Sequence, residues 1–239
     1  MIIDLLKGSV DNHVHCCPHI NKRSTNIFKV VEQAEKLQMY SIGLMDNFSN
    51  TSGYASLISK YKPHMKLKIF GGLIMEPPSG GVNYENAKIA LKYSYNKEGA
   101  KFISFPTHHT KFIAKQEGRN LEYIKKCFHV PLKGPDFETL KILKLIAKNN
   151  IVLNTGHLSP TETLILVKYA KKLGVKKILV PANNFDIATI KTVGNTSCIV
   201  NVDIFMEEMY SNKREKVVSG SFTFVAVDDQ KKPIPIIDC

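Results

Sequence analysis

The sequence predicts an α/β fold: a TIM-barrel-like (β/α) array over residues 1–190 that stops short of a full barrel, followed by a C-terminal antiparallel β hairpin over residues 191–239. Three features predict it. Short apolar runs of β character alternate with amphipathic helical stretches through most of the chain. Such alternation implies a parallel sheet covered by helices, and five or six units fit a complete or truncated barrel. After about residue 190 the pattern changes to two long β-rich stretches separated by a charged turn, which reads as a hairpin. A doubly wound sheet is the competing arrangement, but no Gly-x-Gly-x-x-Gly follows any strand, which disfavours its dinucleotide-binding form.

The elements follow in order. Ser9 to His15 reads as a strand. Asn26 to Gln38 carries apolar residues at Ile27, Val30, Val31, Ala34 and Leu37, the spacing of one helix face. Ser41 to Met45 is a buried strand, and Asn47 opens a turn rich in Ser, Asn, Thr and Gly. Leu67 to Met75 is a strand interrupted by Gly71 and Gly72. Glu85 to Tyr95 is helical, and Phe102 to Thr107 is a strand. Phe137 to Lys148 is a helix with Leu140, Ile142, Leu143, Leu145 and Ile146 apolar, and Ile151 to Asn154 is the next strand. Thr161 to Leu173 is a helix introduced by Ser159, Pro160 and Glu162, capping-box residues with a proline in the first turn. Lys177 to Val180 is a further strand, entered through Gly174. In the tail, Ser197 to Met206 and Lys216 to Val227 are joined by the turn Tyr210 to Glu215, and the module boundary falls near Thr189 to Gly194.

Composition bounds the class of function. The 239 residues, 44% of them hydrophobic, are enough for a substantial core. No apolar run approaches the roughly 18 residues needed to span a bilayer, and the opening Met-Ile-Ile-Asp-Leu-Leu-Lys has no long apolar core, so neither a membrane partner nor a signal peptide is expected. Five cysteines without a Cys-x-x-Cys pair read as a reduced, cytoplasmic protein. The net charge of +12 raises the question of nucleic acid. Only Arg23, Arg119 and Arg214 are arginines, however, and the lysines are scattered without an interleaved aromatic stripe, so no nucleic-acid partner is expected.

The chemistry-bearing segment is Val10-Asp11-Asn12-His13-Val14-His15-Cys16-Cys17-Pro18. Side chains alternate along a strand, so His13 and His15 project to one side. In a (β/α) barrel that side is the interior, and the C-terminal strand ends form the active face. Two imidazoles there can hold one divalent ion at about 2.0–2.1 Å each. His108 and His109 follow a strand ending Phe-Pro-Thr, and His157 follows Val152-Leu-Asn-Thr-Gly; both positions converge on the same rim of a barrel. Asp46 ends another strand and is the candidate general base. The metal set is therefore His13, His15, His157 and His108, with zinc favoured and manganese or iron as alternatives. Cys16 is expected to pack rather than ligate. Glu76 is open between an active-face carboxylate and a loop role. His19, His64 and His129 are expected to be solvated.

On these residues the chain resembles the amidohydrolase superfamily of metal-dependent hydrolases, in an uncharacterised branch that opens with an Asp-Leu-His-Val-His-Ser-Gly-Pro-type motif. The resemblance covers residues 8–187. It is carried by Asp11 to Pro18, by Phe70-Gly-Gly-Leu-Ile with Gly80-Gly-Val-Asn, by Ile151-Val-Leu-Asn-Thr-Gly-His-Leu-Ser-Pro-Thr-Glu-Thr, and by Ala170 to Val180. It implies a divalent-metal-dependent hydrolase acting on a small molecule. Two histidines of that branch are replaced here by Asn47 and Ala182, and neither substitutes well for an imidazole. The tail, Val193 to Glu207 with Gly220 to Ile236, is similar to the last strands of hotdog-fold acyl-CoA thioesterases. The hotdog helix and its acidic residue have no counterpart upstream, so thioesterase activity is the least favoured outcome. A β pair with open edges is expected to join a second copy or pack on the barrel, and a barrel that has lost turnover and serves in binding or assembly is the alternative to the hydrolase.

Overall fold

The computed structural model describes residues 6–95, 99–181, 197–207 and 214–225. Six strands of the first part, β1 (Val10–Val14), β2 (Ser41–Leu44), β3 (Lys68–Ile74), β4 (Phe102–Ser104), β5 (Val152–Asn154) and β6 (Lys177–Leu179), pair parallel in the order in which the chain makes them. That order decides between the two expected arrangements. Right-handed crossovers that all advance in one direction put every helix on the same face and curl the sheet. A doubly wound sheet needs a reversal of strand order, and this sheet has none. The result is a TIM-barrel-like half-barrel of six strands.

The helices are α1 (Ile27–Lys36), α2 (Ser52–Tyr61), α3 (Tyr84–Ala90), α4 (Lys111–Gln116), α5 (Leu121–Lys126), α6 (Phe137–Asn149) and α7 (Pro160–Lys172). Three of these, α2, α4 and α5, lie where the sequence pattern assigns no element. In α2, Gly53 occupies the first turn and the apolar contrast is weak. The six-residue helices α4 and α5 are too short for a periodic pattern to register. Their starts are fixed by side chains instead: Thr110 accepts from the Ile113 N–H and Asn120 from the Tyr123 N–H. The capping box at α7 is present in full, with Ser159 and Glu162 bonding each other's backbone N–H.

Alternation along the strands divides the sheet into two faces. On the helix-covered face, Leu73, Met75, Ile103, Phe105 and Leu153 pack with Ile142, Leu143, Ile146, Leu166 and Ala170. Ile42 and Leu44 pack with Ile27, Val31, Ala34, Ala55 and Ile58. On the inner face, Met45, Ile74 and Phe102 form a separate cluster with Phe70 and Val152. Val14 belongs to the helix-covered side, so its neighbours His13 and His15 fall on the inner one.

Gly71 and Gly72 do not interrupt β3. A Cβ on Gly71 would collide with the backbone of Thr51, and one on Gly72 with the carbonyl of Phe102. The close approach admits Thr51 as a buried stitch. Its N–H donates to the Gly72 carbonyl at 3.0 Å. Its hydroxyl donates to the Leu44 carbonyl at 2.6 Å and accepts from the Gly72 N–H at 3.0 Å.

The chain divides into two compact units, Met1–Pro181 and Ala182–Cys239. In the second, β7 (Ser197–Glu207) pairs antiparallel with β8 (Arg214–Val225). Ala182, the boundary near Thr189 to Gly194, the core of the Tyr210 to Glu215 turn and the stretch after Val225 lie outside the described residues. No helix among the described residues is long and apolar enough to cross a membrane.

Because the Gly72 contact is with backbone rather than a movable side chain, Gly72→Ala is expected to lower stability by about 1–3 kcal/mol, read as a drop in the urea midpoint at unchanged slope.

Candidate metal centre

Five successive strand ends meet at one edge of the half-barrel, and each carries a polar group. At β1, Asp11 Oδ1 accepts from the His13 N–H at 3.0 Å. His13 and His15 turn toward each other, with Nε2 atoms 3.1 Å apart and ring centroids 5.1 Å apart. At β2, Asp46 is 7% exposed; its Oδ1 accepts from the Phe48 N–H at 2.9 Å and its Oδ2 from the Ser49 hydroxyl at 2.7 Å. Asn47, where the resembling branch has histidine, is buried beside it.

At β3, Glu76 is 4% exposed and its carboxylate accepts four hydrogen bonds. Oε1 takes the Thr107 N–H at 2.6 Å, the Thr107 hydroxyl at 2.9 Å and the His108 N–H at 2.6 Å, and Oε2 takes the His109 N–H at 3.1 Å. Of the two roles open for Glu76, the structure shows the loop role: it fixes the turn after β4. That turn sends the adjacent histidines apart. His108 faces His157, ring centroids 6.4 Å apart, while His109 packs on Tyr123 of α5 at 5.2 Å. At β5, Gly156 has φ +68°, and a Cβ there would strike the carbonyls of Phe105 and Pro106. This tight turn presents His157, which bonds the Thr107 backbone.

The four imidazoles expected at the site are electrostatic neighbours. His15 is pushed down to about 3, first by burial and then by His13, Arg23, His19 and His108. His157 is pushed down to about 4, first by burial and then by His108 and His13, against an opposing pull from Glu76. Burial lowers His13 too, with Asp11 opposing. All three rings are held neutral at pH 7, the form in which imidazole binds metal.

The donor chemistry, imidazole nitrogen with nearby carboxylate, suits zinc, manganese or iron. Two nitrogens 3.1 Å apart also match neighbouring ligands of one ion, because bonds of about 2.0–2.1 Å at roughly right to tetrahedral angles separate them by about 2.8–3.4 Å. Among the described residues His15 Nδ1 is buried without a hydrogen-bond partner, so the ring's one hydrogen-bonding contact is at the nitrogen facing His13. The set is not closed, however. Among the described residues no three His, Cys, Asp or Glu side chains are grouped to hold one ion. His13 and His15 fit as a pair, and His108 and His157 stand near them without completing it.

One expectation fails outright. His19 is not solvated: its side chain is fully enclosed, with ring centroids 6.0 Å from His15 and 5.2 Å from Phe48. Its Nδ1 meets the Asn21 N–H at 3.0 Å, and its Nε2 lies 2.8 Å from an Arg23 guanidinium nitrogen and 3.7 Å from Asp46 Oδ1. The segment from Cys16 to Thr25 folds back over β1 and is pinned where the Cys17 N–H bonds the Thr25 carbonyl and the Ile27 N–H bonds that of Cys17. His64 and His129 are exposed, as expected. Cys16 packs in the α1 core, and burial keeps its thiol protonated.

Six parallel strands paired in chain order, with helices between them, define an α/β protein of TIM-barrel-like build. More particularly, the chain belongs to a family of unknown function, DUF6282, whose model matches residues 8–206. It is also similar to two solved structures. One is a protein assigned as a deoxyribose-phosphate aldolase from Coccidioides immitis: 11% identity, 81% of this chain, 68% of that one and a TM-score of 0.46. The other is histidinol phosphate phosphatase from Lactococcus lactis, complexed with zinc, L-histidinol and phosphate: 14% identity, 77% of this chain, 90% of that one and a TM-score of 0.34.

The buried histidines set a pH dependence of stability. Their folded-state values lie below the ordinary 6.5, so the unfolded chain takes up the protons first as pH falls. The stability they contribute is complete above about 6.5 and is lost progressively down to about 4 for His157 and 3 for His15. In chelator-treated protein, the unfolding free energy should fall between pH 6.5 and 4, and the fall should be shallower in His15→Asn/His157→Asn. Equal slopes in the two proteins would refute the assignment.

Proposed function

We propose that this chain is a divalent-metal-dependent hydrolase of the amidohydrolase type, acting on a small molecule at the C-terminal end of its six-stranded sheet. The observation that carries the reading is the pair of neutral imidazoles with Nε2 atoms 3.1 Å apart on the inner face. His13 and His15 would hold the ion, zinc first and manganese or iron next, with His157 and His108 as the further ligands. When bound, such an ion polarises a carbonyl or phosphoryl oxygen and lowers the pKa of its water toward 7.

The chain's own residues supply the rest. Asp11 holds the backbone of His13, and the bond between His157 and the Thr107 backbone orients that ring, as the supporting groups of metal-binding histidines do. Glu76 acts through the turn it fixes and so is a positioning residue. Asp46 is the proposed general base, because it is the carboxylate beside the histidine cluster through His19. Each of its oxygens accepts one hydrogen bond from its own turn, which leaves lone-pair capacity for a proton.

One observation favours a second reading, a barrel that binds without turnover: the third protein ligand is not in place among the described residues, and Asn47 stands where a histidine is expected. In either reading the β tail is proposed to join two copies. The hotdog likeness of that tail adds no activity of its own.

Elemental analysis of the full chain separates the two readings. The hydrolase should carry about one zinc, manganese or iron per chain, and His13→Ala/His15→Ala should lose most of it together with activity on an ester, amide and phosphoester panel. Asp46→Asn should then keep the metal and lose roughly 10²–10⁴ in kcat, the usual contribution of a general base. Substoichiometric metal, with no change in the double variant, leaves the non-catalytic reading.

A further inference from the structure

The segment that folds over β1 carries more hydrogen-bond donors than it can place. Arg23 is one of three arginines in the chain. Among the described residues its guanidinium forms no ion pair with a carboxylate. Among the described residues its Nε is buried with no hydrogen-bond partner, and the guanidinium's one hydrogen-bond contact is His19 Nε2 at 2.8 Å. His19 cannot satisfy what faces it. The Asn21 N–H points at its Nδ1 and Arg23 at its Nε2, yet a neutral imidazole accepts at only one nitrogen. In either tautomer one N–H meets another N–H, and the Arg23 Nε–H meets no acceptor among the described residues. Asp46 Oδ1 is 3.7 Å from His19 Nε2, beyond hydrogen-bond range, and no carboxylate among the described residues lies within ion-pair range of the Arg23 guanidinium. A buried guanidinium edge without an acceptor has a missing partner to be explained.

We infer that Arg23 and His19 form an oxyanion-binding subsite for one end of the small-molecule substrate, a phosphate ester or a carboxylate. The guanidinium presents its N–H groups in a planar fork that matches two oxygens of either group. His19, in the tautomer with Nδ1 accepting from Asn21, offers an Nε2–H to the same anion. The ring of His15 lies 6.0 Å from that of His19, so an anion on Arg23 would place the body of a small molecule beside the His13/His15 pair. The word substrate rests on the hydrolase reading; the anion site itself does not, and its test runs without metal.

Inorganic phosphate and acetate are titrated calorimetrically into the full-length protein after chelator treatment, and into Arg23→Gln and Arg23→Lys, each first shown to keep the wild-type thermal transition. The wild type should bind at least one of the two anions saturably without metal. Arg23→Gln should bind it about tenfold more weakly or worse, the usual consequence of losing a charge-assisted bond, with Arg23→Lys in between because it keeps the charge and loses the fork. Preference for phosphate names a phosphate ester, and preference for acetate names a carboxylate. Affinities within twofold between wild type and Arg23→Gln would overturn the proposal, as would a chelated wild type that binds neither anion. Anion binding that appears only after metal is restored, and ignores residue 23, would overturn it while leaving the metal-centre reading intact. Arg23-dependent binding in a protein that takes up no metal would do the reverse.

Discussion

Glu76 is a carboxylate with almost no access to water, and the site end of this protein is built around satisfying it. When parallel strands stop, the next backbone N–H groups lose their ladder partners and need acceptors. Glu76 collects three of them, from Thr107, His108 and His109, together with the Thr107 hydroxyl. The same device recurs at smaller scale at other strand ends. Asp11 takes the His13 N–H, Asp46 the Phe48 N–H, and Asn154 the Gly156 N–H at 3.0 Å. Side-chain acceptors thus replace the ladder wherever a histidine has to be presented. A loop held this way is stiff, and stiffness is what a set of ligands or catalytic groups needs from its support.

Much of the scaffold was readable from residue pattern because its signals are local. The Ser159-Pro160-x-Glu162 start of α7, the apolar face of α6 and the β-like runs each declare themselves within a few residues. The alternation implied a parallel sheet, while the strand order that separates a curled sheet from a doubly wound one came from the observed pairing. What the pattern could not show was anything carried by contact across the fold. Gly71 and Gly72 look like an interruption of β3 and prove to be what lets Thr51 join β2 to β3. Helices α4 and α5 are shorter than the window in which periodicity shows, and their caps are visible only once the helices are known.

The site divides along the same line. His13 and His15 were legible as a same-face pair, because alternation is a property of the strand alone. His108 and His109 lie beyond β4 in a turn, and which of them faces the site depends on Glu76, 32 residues upstream of the nearer one. His19 and Arg23 were not legible. They sit in an irregular segment with no period to read, and only the fold-back pinned by Cys17 and Thr25 brings them over β1. The signal that existed was faint: an arginine in an arginine-poor chain, eight residues beyond the second histidine of the pair.

Charge links the two halves of the site. Burial alone would leave His13, His15 and His157 neutral, and Arg23 adds to that by repelling a proton from His15. A cation that keeps its neighbours neutral makes them better nitrogen donors, provided the ion they receive is not itself repelled by the guanidinium. An anion on Arg23 removes that conflict, since it neutralises the guanidinium and brings its own oxygens toward the imidazole pair. Metal and anion would then favour each other's binding, and by linkage the preference is mutual. The buried carboxylates of Asp46 and Glu76 would act in the same direction, as acidic groups close by. On the proposed reading, the arrangement would hold a dication and an oxyanion together better than either one alone.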